Sequence, residues 1–297
     1  MRIIDAHVHL YPPEANLSPT HWAEARGEGH WATLCTRVRK NGRLVQSFPS
    51  VDELLRDMDA AGIHRAVLQG WYWEKHDTCV QQNRFYEECL RAHPDRLSAF
   101  ATFHTAAGSG AVTSEIRRAA DAGFCGLGEL SPHSQNIALD HPVWREAMGL
   151  AGELRLPVNL HVTEPLSKSY LGKVETPLAD FLQLAREFPQ TKFILAHWGA
   201  RLPLDLVLGS DARACVNLFY DTAASPLIYG QAFFREMISA VGAERILYGS
   251  DHPLNLYPKT DNQAKIGAML EEVRTAGLSE VEWRAVAGEN AATLLKL

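Results

Sequence analysis

Eight short apolar runs recur along the chain, and each is followed by a segment whose apolar residues repeat at helical spacing. This alternation predicts parallel β/α units, because a chain needs a crossover helix to return to the start of the next parallel strand. The predicted strands are 2–9, 64–69, 97–103, 124–130, 157–163, 191–197, 215–220 and 245–250. Eight such units in 297 residues favour a closed (β/α)8 TIM barrel of the α/β class, with a doubly wound open sheet as the main rival.

Residues 11–50 interrupt this alternation after the first predicted strand. The segment contains several prolines and glycines, and its aromatic residues include Tyr11, Trp22, Trp31 and Phe48. A long ordered loop inside a compact domain is usually functional, so we interpret 11–50 as a lid-like insertion. Segments 261–276 and 279–295 predict extra C-terminal helices. No linker or repeat divides the chain, and residues 1–297 are therefore predicted to form a single domain.

Charge and cysteine content limit the partners and the location. The chain has 29 Lys and Arg against 35 Asp and Glu, a net charge of −6, so it lacks the basic excess that binds nucleic acid or an anionic membrane. No apolar run reaches the ~20 residues of a membrane helix, and the first residues enter a strand directly, so no signal peptide is expected. The five cysteines are scattered and include no C-x-x-C pair. We predict a cytoplasmic protein that binds a small-molecule substrate, with a homodimer as a candidate assembly.

The strongest chemical signal is the run Asp5-Ala6-His7-Val8-His9 at the end of the first predicted strand. Residues two apart on a strand point to the same face, so His7 and His9 can bind one metal ion. A pair of ordinary histidines in the barrel interior is an equally good explanation of this motif when it is taken alone.

Three further strands end in a histidine or an aspartate: His161 on the fifth, His197 on the sixth and Asp251 on the eighth. The carboxyl ends of the strands of a closed barrel converge on one face, so these residues can meet His7 and His9 around one ion. Several imidazoles with a carboxylate suit Zn²⁺, and Mn²⁺ or Fe²⁺ can also be accepted. We therefore predict a metal site, and the alternative is a structural polar layer.

The order H-x-H, His, His, Asp on strands 1, 5, 6 and 8 resembles the amidohydrolase superfamily. More narrowly, it is similar to the amidohydrolase-related family of metal-dependent TIM-barrel hydrolases and decarboxylases. The resemblance covers nearly the whole chain, and its further phrases are Leu160-His161-Val162-Thr163-Glu164-Pro165, Ala196-His197-Trp198-Gly199 and Tyr248-Gly249-Ser250-Asp251-His252-Pro253. It implies that His7, His9, His161 and Asp251 are metal ligands, and that His197 is a ligand or orients a water molecule.

Glu129, on the fourth strand, determines the expected number of ions. Many members of the superfamily have a carboxylated lysine or a glutamate there that bridges two ions, whereas mononuclear members have no bridge. Because Glu129 stands at this place, we predict that it is a ligand, and the alternative is an acceptor that orients a ligating histidine. One or two Zn²⁺ ions are therefore expected.

A metal-bound water with a pKa near 7 supplies hydroxide at neutral pH. Asp251 would take the proton of this water and pass it to the leaving group, while His197 would hold the water or stabilise the oxyanion. We therefore predict a metal-dependent hydrolase of a C–O or C–N bond in a small ester, lactone or amide with organic-acid character. Three alternatives are non-oxidative decarboxylation of an aromatic or enol carboxylate, a TatD-like nuclease, which the charge disfavours, and a metal-storing barrel without activity.

Specificity in such barrels resides in the loops that follow the strands. The candidate substrate-binding residues there are Trp71, Trp73, His104, His133, Glu164, Trp198 and Arg201. Aromatic walls with one arginine suit a small organic acid whose carboxylate pairs with Arg201. Lys168 and Tyr170 are weaker candidates, and packing under the lid is the alternative for each tryptophan.

Overall fold

The computed structural model describes residues 1–40, 42–255 and 264–297, and its eight strands form one parallel sheet in chain order. The strands are β1 Ile4–Val8, β2 Arg65–Leu68, β3 Leu97–Ala101, β4 Gly126–Leu130, β5 Val158–Leu160, β6 Phe193–Leu195, β7 Leu218–Asp221 and β8 Ile246–Leu247. Backbone hydrogen bonds from Ala6 N to Tyr248 O (2.8 Å) and from Asp251 N to His7 O (2.9 Å) join β1 to the segment that continues β8. The predicted (β/α)8 barrel is confirmed.

Helices follow the strands and surround the barrel. They are α1 Pro13–Leu17, α2 Pro19–Arg26, α3 Gly29–Cys35, α4 Val51–Ala61, α5 His76–Ala92, α6 Ser109–Asp121, α7 Pro142–Leu154, α8 Leu178–Glu187, α9 Gly209–Ala214, α10 Ser225–Ile228, α11 Ala232–Val241, α12 Ile266–Arg274, α13 Glu280–Arg284 and α14 Asn290–Leu295. A π-helical turn joins α13 to α14. The predicted C-terminal helices are therefore present, although residues 261–263 of the first lie outside the described part. No helix in the described ranges is both long and apolar enough to cross a lipid bilayer.

Apolar side chains of the strands pack against the helices in one large core. Leu54 and Met58 of α4, for example, belong to the same buried cluster as Val8 of β1 and Leu68 of β2. Full burial of such a side chain contributes about 1.5–3 kcal/mol, so helices of this kind hold the strand ends in fixed positions.

Each predicted strand is present, but several end earlier than the sequence pattern indicates. β5 ends at Leu160 and β6 at Leu195, so His161 and His197 follow the hydrogen-bonded ladder and do not belong to it. His197 and Asp251 have left-handed φ values of 56° and 58°, which no strand residue adopts. The candidate site residues therefore lie where the backbone turns out of the barrel.

The insertion 11–50 contains α1, α2 and α3 and packs on the loop after β2. Its buried aromatic rings form one cluster with Trp71, Tyr72 and Trp73. The ring centroids of Trp31 and Trp73 are 5.5 Å apart, and those of Trp22 and Trp73 are 5.4 Å apart. Burial of this large aromatic surface orders the insertion. Its action as a lid, and the single-domain organisation, stay predictions.

Candidate metal centre and active site

His7 and His9 of the first strand segment direct their Nε2 atoms at one another, 3.1 Å apart. Nδ1 of His7 donates to the Asp221 carboxylate at 2.8 Å, and Nδ1 of His9 donates to the backbone oxygen of Gln69 at 3.1 Å. A carboxylate and a carbonyl only accept, so the Nδ1 atoms carry protons. The Nε2 atoms are thereby held as the metal-facing nitrogens, as is usual for ligating histidines.

Asp251 and Glu129 add two carboxylate oxygens to this pair. Asp251 Oδ1 lies 3.6 Å from Nε2 of His9 and 3.9 Å from Nε2 of His7. Glu129 Oε2 lies 3.8 Å and 4.0 Å from the same two nitrogens. Two ligands at about 2.1 Å from a shared ion are at most about 4.2 Å apart, and all these distances meet that limit. His7, His9 and Asp251, called here the first ligand group, therefore fit one divalent ion, and Glu129 Oε2 lies within the same limit of both histidine nitrogens.

The second oxygen of Glu129 faces two more histidines. Glu129 Oε1 lies 3.0 Å from Nδ1 of His161 and 3.6 Å from Nε2 of His197, and these two nitrogens are 3.3 Å apart. Glu129, His161 and His197 form the second ligand group. The Glu129 carboxylate thus offers one oxygen to each group, a geometry that suits a bridging ligand and equally an acceptor for a His161 N–H.

The electrostatics of the first ligand group favour a cation between the two histidines. Burial by itself would lower the pKa of His7, but the Asp221 carboxylate raises it to about 10. Burial and the neighbouring charge of His7 lower the pKa of His9 to about 3. Without metal, His7 therefore carries the proton that lies between the two Nε2 atoms. A metal ion would take the place of this proton.

The carboxylates of the site differ in their protonation. Burial raises the pKa of Asp251 to about 8. Burial would also raise the pKa of Glu129, but His161, together with His7 and His197, holds it far below its usual range. Burial, supported by His161, lowers the pKa of His197 to about 4. Near neutral pH Glu129 is ionised, His197 is neutral and Asp251 can both take and give a proton.

Asp221, at the end of β7, is a site residue that the sequence analysis did not identify. It is fully buried, and besides His7 it accepts hydrogen bonds from Asn159 Nδ2 (3.0 Å) and from the backbone N–H groups of His197 (3.0 Å) and Ala223 (3.1 Å). Its place directly after the predicted seventh strand is the signal that could have found it. Asp221 therefore connects the first ligand group to the turn that carries His197.

A left-handed turn follows β6. All five residues of His197–Arg201 have φ between 47° and 65°, a conformation that costs non-glycine residues about 1–2 kcal/mol each. Side-chain hydrogen bonds hold the turn: Nδ1 of His197 donates to the Ala223 carbonyl (3.2 Å), and Nε1 of Trp198 donates to the Ser225 hydroxyl (2.7 Å). The turn leaves Nε2 of His197 directed at Glu129.

A cavity of about 530 Å³ opens above the two ligand groups. Its wall includes His9, Glu129, His161, His197 and Asp251. The wall also contains Trp71, Tyr72 and Glu164 from the barrel loops. Arg37 of the insertion lines it as well, and so do Lys168 and Tyr170 from the loop between β5 and α8. The cavity is thus a substrate-sized space that borders directly on the candidate metal ligands.

Trp71 and Glu164 are the predicted substrate-binding residues that line this cavity. The other five lie outside the cavity wall. Trp73 donates a hydrogen bond to Gln82, and the His104 ring forms one with the Gln135 carbonyl. His133 pairs with the Asp180 carboxylate, Trp198 is buried beside Phe234, and Arg201 is exposed and lies over the ring of Phe233. Sequence position after a strand does not decide which way a loop side chain turns, and these five turn to partners in the surrounding protein. The carboxylate-binding role assigned to Arg201 is therefore not supported by its position.

Comparison with known proteins gives a family and a set of similar folds. A family model described as amidohydrolase matches residues 4–297. No curated protein matches the sequence.

Three solved structures resemble the whole chain. The 5-carboxyvanillate decarboxylase from Sphingomonas paucimobilis is 19% identical, with a TM-score of 0.73 and coverage of 100% of this chain and 99% of that one. A dihydroxybenzoic acid decarboxylase from Polaromonas with bound manganese and 2-nitroresorcinol is 19% identical, with a TM-score of 0.71 and coverage of 100% and 97%. A probable 2-pyrone-4,6-dicarboxylic acid hydrolase from Acinetobacter baumannii is 13% identical, with a TM-score of 0.68 and coverage of 100% of both chains. At these identities the likeness shows the fold.

Proposed function

This chain belongs to the amidohydrolase family, and from that membership we propose that it is a metal-dependent, non-oxidative decarboxylase of an aromatic or enol carboxylate. Decarboxylation, an alternative in the expectations from sequence, is thus the main function, and hydrolysis comes second. Among the three structural relatives described above, two are decarboxylases of hydroxylated aromatic acids, and this supports the order.

The observation that carries the proposal is the position of Asp251. Its carboxyl group belongs to the first ligand group and also lines the cavity, so it borders both the candidate metal ligands and the substrate space. Decarboxylation leaves an electron pair on the carbon that has lost CO₂, and this carbon must receive a proton. A carboxyl group that lines the substrate space is suited to deliver it.

The wall of the cavity suits a planar ring. The rings of Trp71 and Tyr72 are stacked with their centroids 4.3 Å apart, and Tyr72 also lies 5.2 Å from the ring of His161. Aromatic rings pack against such faces in offset or edge-to-face arrangements. An aromatic substrate can therefore lie between this wall and the ligand groups.

The first ligand group would hold the metal through His7, His9 and Asp251, and Glu129 would add a further carboxylate oxygen. When bound, a divalent ion supplies Lewis-acid chemistry toward the carboxylate and hydroxyl oxygens of the substrate. Mn²⁺ and Zn²⁺ both suit a site of two imidazoles and two carboxylates, and one relative was crystallised with manganese. Zinc was the expectation from sequence, and here we propose either metal.

The proton transfers assign a role to each remaining group. Asp251 takes the proton of the substrate hydroxyl, the bond between the ring carbon and the carboxylate breaks, and CO₂ leaves. The electron pair of that bond stays on the ring carbon, which takes the proton from Asp251, and the substrate oxygen that lost its proton regains one from water. The neutral His197 and His161 line the same cavity, and their role here is to orient the substrate oxygens.

The test is CO₂ release from a panel of ortho-hydroxybenzoates and enol acids by protein loaded with Mn²⁺ or Zn²⁺. In D₂O the product should carry one deuterium at the carbon that lost the carboxylate, and a sample without protein measures the spontaneous loss of CO₂. The same protein treated with a chelator is the control and should be inactive. Absence of CO₂ from every acid, with turnover of a lactone or ester, would contradict decarboxylation.

Hydrolysis is the second candidate, and one observation favours it. The Glu129 carboxylate faces each ligand group with one oxygen, so it would help to hold an ion in each, and two ions would supply activation of water. In that case Asp251 would shuttle the proton from water to the leaving group. The substrate would be a small ester, lactone or amide, in keeping with the hydrolase among the relatives.

The cytoplasmic location, the absence of nucleic-acid and membrane partners, and a homodimer stay predictions.

A further inference from the structure

Positive charge enters the cavity from two segments outside the ligand groups. Arg37, which follows α3 in the insertion, lines the wall, and so does Lys168 in the loop between β5 and α8. The Arg37 guanidinium lies over the ring of Tyr170, 5.4 Å from its centroid. The two segments therefore meet at the cavity, and this contact joins them.

Arg37 is half-buried, and no carboxylate of the described residues forms an ion pair with it. A cation that has lost part of its water without gaining an anion is destabilising, and stacking on an aromatic ring recovers about 0.5–1 kcal/mol. Such a group is poised to gain a strong charge-assisted hydrogen bond when an anion arrives.

The carboxylates of the cavity have other partners. Glu129 contacts His161 at 3.0 Å, and Asp251 belongs to the first ligand group. Glu164 accepts hydrogen bonds from the Tyr229 hydroxyl and from the backbone N–H of Leu166 (3.0 Å). The anion that neutralises Arg37 would therefore come from the substrate.

We propose that Arg37, assisted by Lys168, binds a second anionic group of the substrate, separate from the group that reacts at the metal ligands. The substrate is then a dianion, such as an aromatic dicarboxylate, and Arg37 determines this specificity. The inference rests on the proposed function for the reacting end of the substrate. It replaces Arg201, which the structure places exposed and outside the cavity, as the arginine that recognises a carboxylate.

The experiment measures binding and does not depend on turnover. Full-length protein loaded with Mn²⁺ is titrated by calorimetry with benzoate and with isophthalate and terephthalate, which add a second carboxylate at two different positions. The variants are Arg37→Met, which keeps the length of the side chain, Arg37→Lys, which keeps the charge, and Lys168→Met. Arg201→Met is the matched control at an arginine outside the cavity.

We expect at least one diacid to bind the wild type about 10-fold or more tighter than benzoate. Arg37→Met should abolish this preference and change benzoate binding less than about 2-fold, Arg37→Lys should retain part of it, and Lys168→Met should reduce it. Arg201→Met should leave all affinities unchanged. Equal binding of mono- and diacids by the wild type, no binding of either diacid, or an unchanged preference in Arg37→Met overturns the proposal. Failure of CO₂ release with an intact diacid preference would instead contradict the proposed function alone.

Discussion

The carboxylate of Asp221 accepts a 2.8 Å hydrogen bond from Nδ1 of His7, although 214 residues separate the two in the chain. Both side chains are fully buried. The same carboxylate accepts a hydrogen bond from the backbone N–H of His197. Asp221 therefore orients one histidine of the first ligand group and one histidine of the second. The position of the histidines is thus set by a residue that is outside both ligand groups.

Replacement of Asp221 by asparagine should weaken metal binding by about 10–100-fold, because it removes the charge that fixes the His7 ring and supports its basicity. Competition with a chromogenic chelator measures the affinity. Asp121→Asn, at an exposed aspartate at the end of α6, is the control and should bind metal like the wild type. Equal affinities of the two variants would mean that Asp221 has only a packing role.

Glu129→Gln should lower the affinity of the metal site, since it removes a charged oxygen that lies 3.8 Å from His9 Nε2. For decarboxylation we expect about one ion per chain in the wild type, held by the first ligand group. Mass spectrometry of protein purified without chelator or nickel gives the count. About two ions that fall to about one in the variant would favour the bridged site and hydrolysis.

Metal binding should release protons, and the number should fall as pH rises. At about pH 6.5, His7 (pKa about 10) and Asp251 (pKa about 8) are both protonated in the metal-free protein, so binding should release about two protons. At about pH 9 Asp251 is already ionised and about one proton should be released. Calorimetry in buffers of different ionisation enthalpy measures this number. Asp251→Asn should release about one proton at both pH values, and a constant number in the wild type would contradict the assignment.

Gly199→Ala should destabilise the fold by about 2 kcal/mol and displace His197. Gly199 has a φ of 56°, and a Cβ there would lie 3.0 Å from the Tyr220 ring and 3.1 Å from Leu195 Cβ. Urea unfolding measures the change. Gly110→Ala in α6, where nothing lies within 4 Å of the added Cβ, should instead stabilise by about 0.5–1 kcal/mol. An unchanged unfolding midpoint for Gly199→Ala would show that the turn relaxes without cost.

The barrel and the identity of the ligand candidates were predictable from the sequence. Apolar runs with helical segments between them determine eight β/α units, and closure of the barrel brings the strand ends to one face whatever their separation in the chain. His7, His9, His161 and Asp251 could therefore be found from strand position, whereas Glu129 was found from the resemblance to the superfamily. The residue that orients His7, Asp221, ends a strand as well, but its role depends on a neighbour far away in sequence.

Only the tertiary structure decided how the rest of the site is built. Glu129 divides its oxygens between two ligand groups because the chain turns out of the barrel after β5 and β6, and no periodicity records such a turn. Arg201 lies over Phe233, outside the cavity wall. Arg37 reaches the cavity because the aromatic cluster packs the insertion against the loop after β2. Strand pattern is a local property that repeats every two residues, whereas the direction of a loop side chain depends on which distant surfaces are buried together.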